Sequence, residues 1–560
     1  MGRPSQTKPA RPGNNRRDFF KRSSSAAVAL AAAPALLPLS ASAAQPKGEF
    51  QHGVASGDPL PDRVILWTRI TPLQFDDTLS VGLVIARDAA LTDVVYSGKT
   101  KTDVSRDFTV KVDADGLQPD TSYYYQFSYK KTLSPIGRTK TLPVGPTERL
   151  RAAVVSCSNF AAGYFNAYRC IAERADLDMV IHLGDYLYEY GTGQYGTLRP
   201  CEPAHEIVTL ADYRARHAQY KGDADSQAMH RQHPLVAIWD DHEIANDAYV
   251  QGAENHTPDT EGAWNDRVAA GLQAYYEWMP VRVVDKKNLR RNNRSLPYGD
   301  LADLFMLEER LNGRSKQLPP TVPTELGLLF TQSGEFLDPA RSLLGSEEEA
   351  WLIKRLHHSK AHWKILGQGV MFAQLKAVGA PNAFGGGAFL NPDQWDGYQP
   401  ARDRIYAALK GADGRKPIPN TVVLTGDIHS SWAADLTQDP NNPDPASGGY
   451  NPASGQGSLA VEFVATSVTS PGLDDPLGET AAALKAQNPH FKYIDFNKRG
   501  YMLLDVDPRR VVCEWWHLST VATVDAAQTM AVAYQVDAGT NRLVPATATV
   551  AKAKAAKLAP

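Results

Sequence analysis

The stretch VIHLGDYLYEYG, Val180 to Gly191, opens as an apolar run, stops on a glycine and an aspartate, and is then crowded with tyrosines. A short apolar run bounded by such a turn reads as a buried strand. An aspartate after a strand is by itself ordinary, because turns and helix caps use it for its local hydrogen bonds. The neighbouring sequence changes that reading. From about Leu150 the chain alternates apolar strands, AAVVSCS, LVAIWDD, KILGQGVMF, TVVLTGD and AVEFVATS, with helical segments such as AYRCIAERA and EEAWLIKRL. The alternation predicts an α/β domain or a layered α+β one, and in such sheets ligands collect at the carboxyl ends of the strands.

Four of those strand ends carry metal-competent side chains. The first presents Cys157, the second Asp185 with Tyr188 three residues on, the third WDDHEIAND with Asp240, Asp241, His242, Asn246 and Asp247, and the fourth TGDIHSSW with Asp427 and His429. Four such ends in one domain are hard to explain as caps and predict a cluster of metal ions. Carboxylates at strand ends can bridge cations, which acidify a water between them and clamp the oxygens of an in-line displacement. Hydrolysis of phosphate esters is the chemistry such a cluster serves. Alternate residues of an extended segment share a face, so Asp427 and His429 are expected to serve one cluster. Adjacent residues face opposite ways, which leaves open which of Asp240 and Asp241 binds metal and which orients His242.

Before this domain, the segment from about Phe50 to Pro143 carries short runs, VILWTRI, VGLVIAR, VVYSG and YYYQFSY, separated by Asp, Gly and Pro. That spacing predicts a β-sandwich, and GLQPDTSYYYQF, Gly116 to Phe127, resembles a late stretch of fibronectin type III modules. With 560 residues, two folded units and a processed segment are expected. The 59 basic and 62 acidic residues, net charge −3 and pI near 6.5, carry no nucleic-acid-binding signature. The tail beyond Val536 reads as weakly ordered or peripheral.

NRRDFFKR, Asn15 to Arg22, precedes an Ala/Leu-rich run ending at ASA, Ala41 to Ala43. This is the layout of a signal peptide over residues 1–43, and its paired arginines followed by Phe19, Phe20 and Lys21 resemble a twin-arginine (Tat) signal. The Tat export machinery is thus an expected partner, with a periplasmic or extracellular destination. The apolar run is too short and too interrupted by proline to span a bilayer, and no later stretch looks transmembrane. The four cysteines, Cys157, Cys170, Cys201 and Cys513, lie far apart; Cys170 with Cys201 is the candidate disulfide.

The phrases SCSNFAAGYFNAY, HLGDYLYEYG, WDDHEIANDAY, YGDLADLFMLEERL, RSLLGSEEEAWL and QWDGYQPARDRI, with DDHE and GDIH in place of the superfamily's Gly-Asn-His and Gly-His-x-His motifs, resemble the PhoD-like branch of the metallophosphoesterases. The resemblance runs from about Gly53 to His517. It implies one ferric ion and one or two calcium ions. Cys157, Asp185, Tyr188 and His429 are donors suited to high-valent iron, whereas Asp185, Asp240 or Asp241, Asn246 and Asp427 offer only oxygen, which suits Ca²⁺. His242 is the candidate for protonating the leaving group or holding a phosphoryl oxygen. Trp395 and Arg402 fall in a family phrase and are candidates for lining the substrate pocket. Glu308 departs from the aspartate the family phrase carries. Tyr186 and Tyr190 read as packing residues, and His182 as a hydrogen-bonded core histidine.

The expected organisation is therefore a leader (1–43), an N-terminal β-sandwich of fibronectin III or Ig type (48–143), an α/β metallophosphoesterase domain of two sheets sandwiched by helices (150–520) and a tail (521–560). The expected activity is metal-dependent hydrolysis of phosphate mono- and diesters. The alternatives are a diesterase restricted to phospholipid or teichoic acid, with peripheral contact to envelope substrates, and a non-catalytic wall-binding protein with a structural metal.

Overall fold

The computed structural model describes residues 49–72, 77–324, 327–378, 386–412 and 414–560. The leader expected at residues 1–43 lies outside them. Among the described residues no helix is long and apolar enough to cross a membrane.

Two large mixed sheets form the middle of the molecule. The first has ten strands, and its centre is a parallel set, Leu150–Val155, Met179–His182, Pro234–Ala237 and Val54–Gly57. The second has seven, with a parallel centre of Ala302–Met306, Trp363–Gln368, Thr421–Thr425 and Ala460–Val464. Period-two alternation sorts their side chains between cores. Ala152 and Val154 face the second sheet, in a core with Ile365, Val422 and Phe463. Ala153 and Val155 face the other way, against helices Asn166–Ala172, Leu210–Gly222 and Trp264–Trp278. On the outer face of the second sheet, Leu366 and Val423 pack on helices Gly345–His358 and Gln399–Lys410. The layering is therefore helix, sheet, sheet, helix. Ser156 bridges to Ser467 where the two sheets meet, at the carboxyl ends of both parallel sets.

The N-terminal strands divide between two sheets. Thr78–Ala86, Val94–Asp103 and Ser122–Tyr129 belong to a separate five-stranded sheet, whereas Val54–Gly57, Val64–Arg69 and Thr109–Ala114 continue the ten-stranded one. Val64, Leu66 and Val110 share a core with Val81, Leu83, Tyr125 and Phe127. The parallel pairing of Ser56 with Pro234 covers what would otherwise be an open edge of the parallel set.

Two expectations are corrected. The region beyond Val536 is not peripheral: Gln528–Asp537 and Leu543–Pro545 form the far edge of the ten-stranded sheet. The extended chain after them is strapped down by side-chain donors to its carbonyls, from Arg151 to Val550, Arg138 to Ala556, Tyr124 to Lys557 and Gln232 to Ala559. Cys170 and Cys201 form no disulfide; all four cysteines are free and buried.

Candidate metal centre

The four strand ends converge where the two sheets meet. The loops that carry the candidate donors leave extended geometry at once: Cys157, Asp185, Asp247, Asp427 and His429 all have positive φ, between 54° and 64°. Such left-handed residues cost about 1–3 kcal/mol each and gather where surrounding structure holds them for a purpose. Gly184 adopts φ 99°, and a Cβ there would lie 2.5 Å from the Cβ of Asp240. The absence of that carbon lets the second and third strand ends touch. Glu243 then ties them together, accepting from the backbone N–H groups of Asp185, Tyr186 and Asp240 at 3.2, 2.6 and 2.9 Å.

Three groups of side chains have ligand atoms within 4.8 Å of one another: Cys157, Asp185 and His429; Asp185, Asp241 and His242; and Asp240, Asp241 and Asp427. Asp185 joins the first to the second and Asp241 the second to the third, so the groups form one continuous chain of donors. Tyr188 belongs to the first by distance. Its phenol lies 3.0 Å from Asp185 Oδ2 and 3.1 Å from His429 Nε2, and it accepts from Ser470 Oγ at 2.7 Å. His429 Nδ1 is 2.9 Å from the Pro471 carbonyl. A carbonyl only accepts, so Nδ1 carries the proton and Nε2 keeps its lone pair for the group.

Two pairs of donors owe their placement to one feature of the strands. The third strand ends at Ala237 and the fourth at Thr425, so the residues that follow lie in turns where two-residue alternation does not apply. Asp240 and Asp241 therefore both reach the cluster, and Asp427 and His429 both serve it, through different groups of the one chain of donors. Asp241 also holds the loop backbone. Its Oδ1 accepts the backbone N–H of His242, and its Oδ2 that of Asp247. The ring is held by Glu189, whose Oε2 is 2.7 Å from Nδ1. Asn246 lies on this side too, donating its backbone N–H to Glu189 and its amide to Glu254.

Trp395 and Arg402 are both held by protein partners. The Trp395 indole is buried against Phe372 and donates to Glu309 and Gln368. Arg402 pairs with Asp396 at 2.8 Å and donates to the Phe372 carbonyl. Both side chains are as buried as the donors of the centre itself. Glu308 is a turn organiser that accepts the backbone N–H groups of Arg310, Leu311 and Asn312. Tyr186 packs between His182 and Tyr220, and His182 accepts or donates a 3.0 Å hydrogen bond with Tyr168, as a core histidine should.

The electrostatics fit cations. Burial pushes Cys157 and Tyr188 well above their ordinary values, with the Asp185 charge adding to it. Burial raises Asp185 well above the carboxylate range, against the pull of His242, and raises Asp240 to about 7 despite Arg310. Burial works against a charged His242, but Glu189, Asp241 and Asp185 outweigh it and raise its pKa. Asp185 Oδ1 and Asp240 Oδ2 are buried with no hydrogen-bond partner among the described residues. Leaving a buried carboxylate oxygen unpaired is costly, and a cation at these atoms relieves both that cost and the raised acidities.

Sequence reading missed Glu189, Glu243, Arg310 and Ser470. Glu189 lies inside VIHLGDYLYEYG, among tyrosines that give it no distinguishing pattern. Ser470 follows a fifth strand end, Ala460–Val464, whose residues show no metal-competent pattern.

Comparison with known proteins agrees with this architecture. Residues 152–515 match the model of the PhoD-like phosphatase family, and residues 33–143 match that of its N-terminal domain. The chain is 38% identical over 485 residues to alkaline phosphatase D of Bacillus subtilis (strain 168), covering 82% of this chain and 76% of that one. Among solved structures, one described as the structure of PhoD superposes with TM-score 0.79 at 33% identity, covering 91% of this chain and 94% of the other.

Proposed function

The chain belongs to the PhoD-like phosphatase family and is a phosphate-ester hydrolase; from that premise we propose that it is an exported, metal-dependent phosphatase acting on mono- and diesters. The single observation that carries the metal reading is Asp185, shared between a group with a thiol, a phenol and an imidazole and a chain of carboxylates that leads to Asp240 and Asp427. Cys157, Asp185, Tyr188 and His429 suit a ferric ion; Asp240, Asp241 and Asp427 suit calcium, with Asn246 a further oxygen donor of the same loop. When bound, the cations neutralise the phosphoryl oxygens and acidify the attacking water.

The chain's own contribution is positional. Glu243 fixes the spacing of two donor loops. The Pro471 carbonyl fixes the tautomer of His429. His242 commits Nδ1 to Glu189, which leaves Nε2 as the atom that meets the leaving-group oxygen and delivers its proton. Export through the Tat machinery to the periplasm or beyond rests on residues 1–43, with a β-sandwich over 48–143 as an accessory module and catalysis over 150–520. The test is side-by-side assay of the mature protein on bis-p-nitrophenyl phosphate and p-nitrophenyl phosphate, with calcium supplied or chelated, and metal analysis of the same preparation. Hydrolysis of both esters that falls on chelation is expected. Activity indifferent to chelation in a preparation without metal would overturn the reading.

A further inference from the structure

Ser470 is fully buried in the loop that follows strand Ala460–Val464, and it touches two of the proposed iron donors at once. Its Oγ lies 2.7 Å from the phenol oxygen of Tyr188 and 2.9 Å from the carbonyl oxygen of Cys157. The loop is fastened along its length. Val468 donates its N–H to the Ser156 carbonyl at 2.9 Å, Thr469 its hydroxyl to the Asn159 carbonyl at 2.7 Å, and Ser467 its hydroxyl to the Ser470 carbonyl at 2.6 Å. The Ser470 hydroxyl is therefore set between the two donors by the chain around it.

A serine hydroxyl has one proton, so it serves one of these two acceptors at a time. The Cys157 carbonyl is also met by the backbone N–H groups of Thr469 and Ser470, at 3.4 and 3.3 Å. The phenol, while it keeps its own proton, donates to Asp185 Oδ2 at 3.0 Å. Once a cation replaces that proton the oxygen carries charge, and a hydrogen bond to a charged acceptor is about twice as strong as one between neutral groups. The Ser470 proton then belongs on Tyr188 and not on the carbonyl.

We propose that Ser470 is a positioning residue for the iron side of the centre: its hydroxyl fixes the Tyr188 oxygen against the Cys157 backbone and, by donating to that oxygen, limits how much electron density it gives the metal. The inference rests on the ferric reading above and adds to it a residue that is not itself a ligand. Hydrogen bonds to ligand atoms are among the levers by which a protein tunes a bound metal. With that bond removed the phenolate is a stronger donor, which lowers the energy of its charge-transfer band and favours the ferric state over the ferrous one.

The experiment is visible absorption of the iron-loaded protein, read per bound iron, with the reduction potential of the same samples, for wild type, Ser470→Ala and Thr469→Val. Ser470→Ala removes the hydroxyl and keeps the backbone N–H to Cys157. Thr469→Val removes the neighbouring hydroxyl, which ties the same loop to Asn159 and not to Tyr188. Ser470→Ala is expected to move the band to longer wavelength and the potential to a more negative value, whereas Thr469→Val should keep both where the wild type has them. If Ser470→Ala does not fold or holds no iron, Ser470→Cys, whose thiol is a weak donor, should give a smaller shift in the same direction. A band at one position in wild type and in the serine variants would overturn the proposal. So would an equal shift in Thr469→Val, which would assign the effect to the placement of the loop instead of the hydrogen bond. A wild type that holds no iron, or holds it without a visible band, would overturn the ferric reading itself, a result distinct from any behaviour of the variants.

Discussion

Glu189 stands directly behind His242, its Oε2 accepting from Nδ1 at 2.7 Å with both side chains buried. The same carboxylate takes the backbone N–H of Asn246 and the amide of Asn255, so it holds the ring and the loop after it together. Replacing Glu189 by Gln keeps the size and one acceptor but removes the charge. A fall in kcat of about 10–100-fold is expected, with KM little changed. Because the lost function is proton delivery, the deficit should shrink with esters of more acidic phenols. Steady-state kinetics across a series of aryl phosphates checks this, and a flat response across the series would remove His242 as the proton donor.

The thiol and phenol of the first donor group should mark its metal. Cys157 and Tyr188 are held protonated by burial, so each needs a cation to ionise. A ferric ion bound by phenolate absorbs visible light. Tyr188→Phe should lose that band and keep part of its iron through Cys157, Asp185 and His429. Cys157→Ala should lower iron content while a tyrosinate band persists in what remains. Identical spectra in wild type and Tyr188→Phe would exclude the phenol from the site.

Gly184 is the contact point of two donor loops, with φ 99° and space for no Cβ beside Asp240. Gly184→Ala must strain the backbone and push the loops apart, which should cost about 2–4 kcal/mol of unfolding free energy. Activity should fall further than stability alone explains, because Asp185 and Asp240 separate. Denaturant unfolding monitored together with kcat measures both, and a variant of native stability and rate would show that the loops yield freely.

What was legible in the sequence was the local grammar. Apolar runs that end in Gly-Asp or Asp-Asp-His announce strands with donors at their tips, and all four proposed strand ends meet. What was not legible depends on where the strands stop. Asp240, Asp241, Asp427 and His429 lie two or more residues past their strands, in turns whose side-chain directions no periodicity predicts. Glu189, Glu243 and Arg310 carried no signal for a different reason: charged residues in loops usually face water, and only the closure of distant segments, 70 positions apart for Asp240 and Arg310, buries them as partners. The tail carries no local signal for the same reason, since its hold comes from arginines up to 418 residues away.

That tail supplies a prediction about pH. Asp178 is buried between Lys140, at 2.8 Å, and Lys552, and also takes the backbone N–H of Arg151. Burial works to raise its pKa, but the two ammonium groups outweigh it and hold it below 3.8. A carboxyl depressed in the folded state contributes stability that is fully present above its unfolded value and is lost as pH falls through the folded one. Asp178→Asn should therefore be destabilised by about 3 kcal/mol at neutral pH, and the gap from wild type should close as pH drops below 3.8. Lys552→Met should lose less, because burial already lowers the pKa of that ammonium and Lys140 remains. Unfolding curves from pH 7 to pH 3 decide the matter: a gap that stays constant over that range would show that Asp178 acts by shape and not by charge.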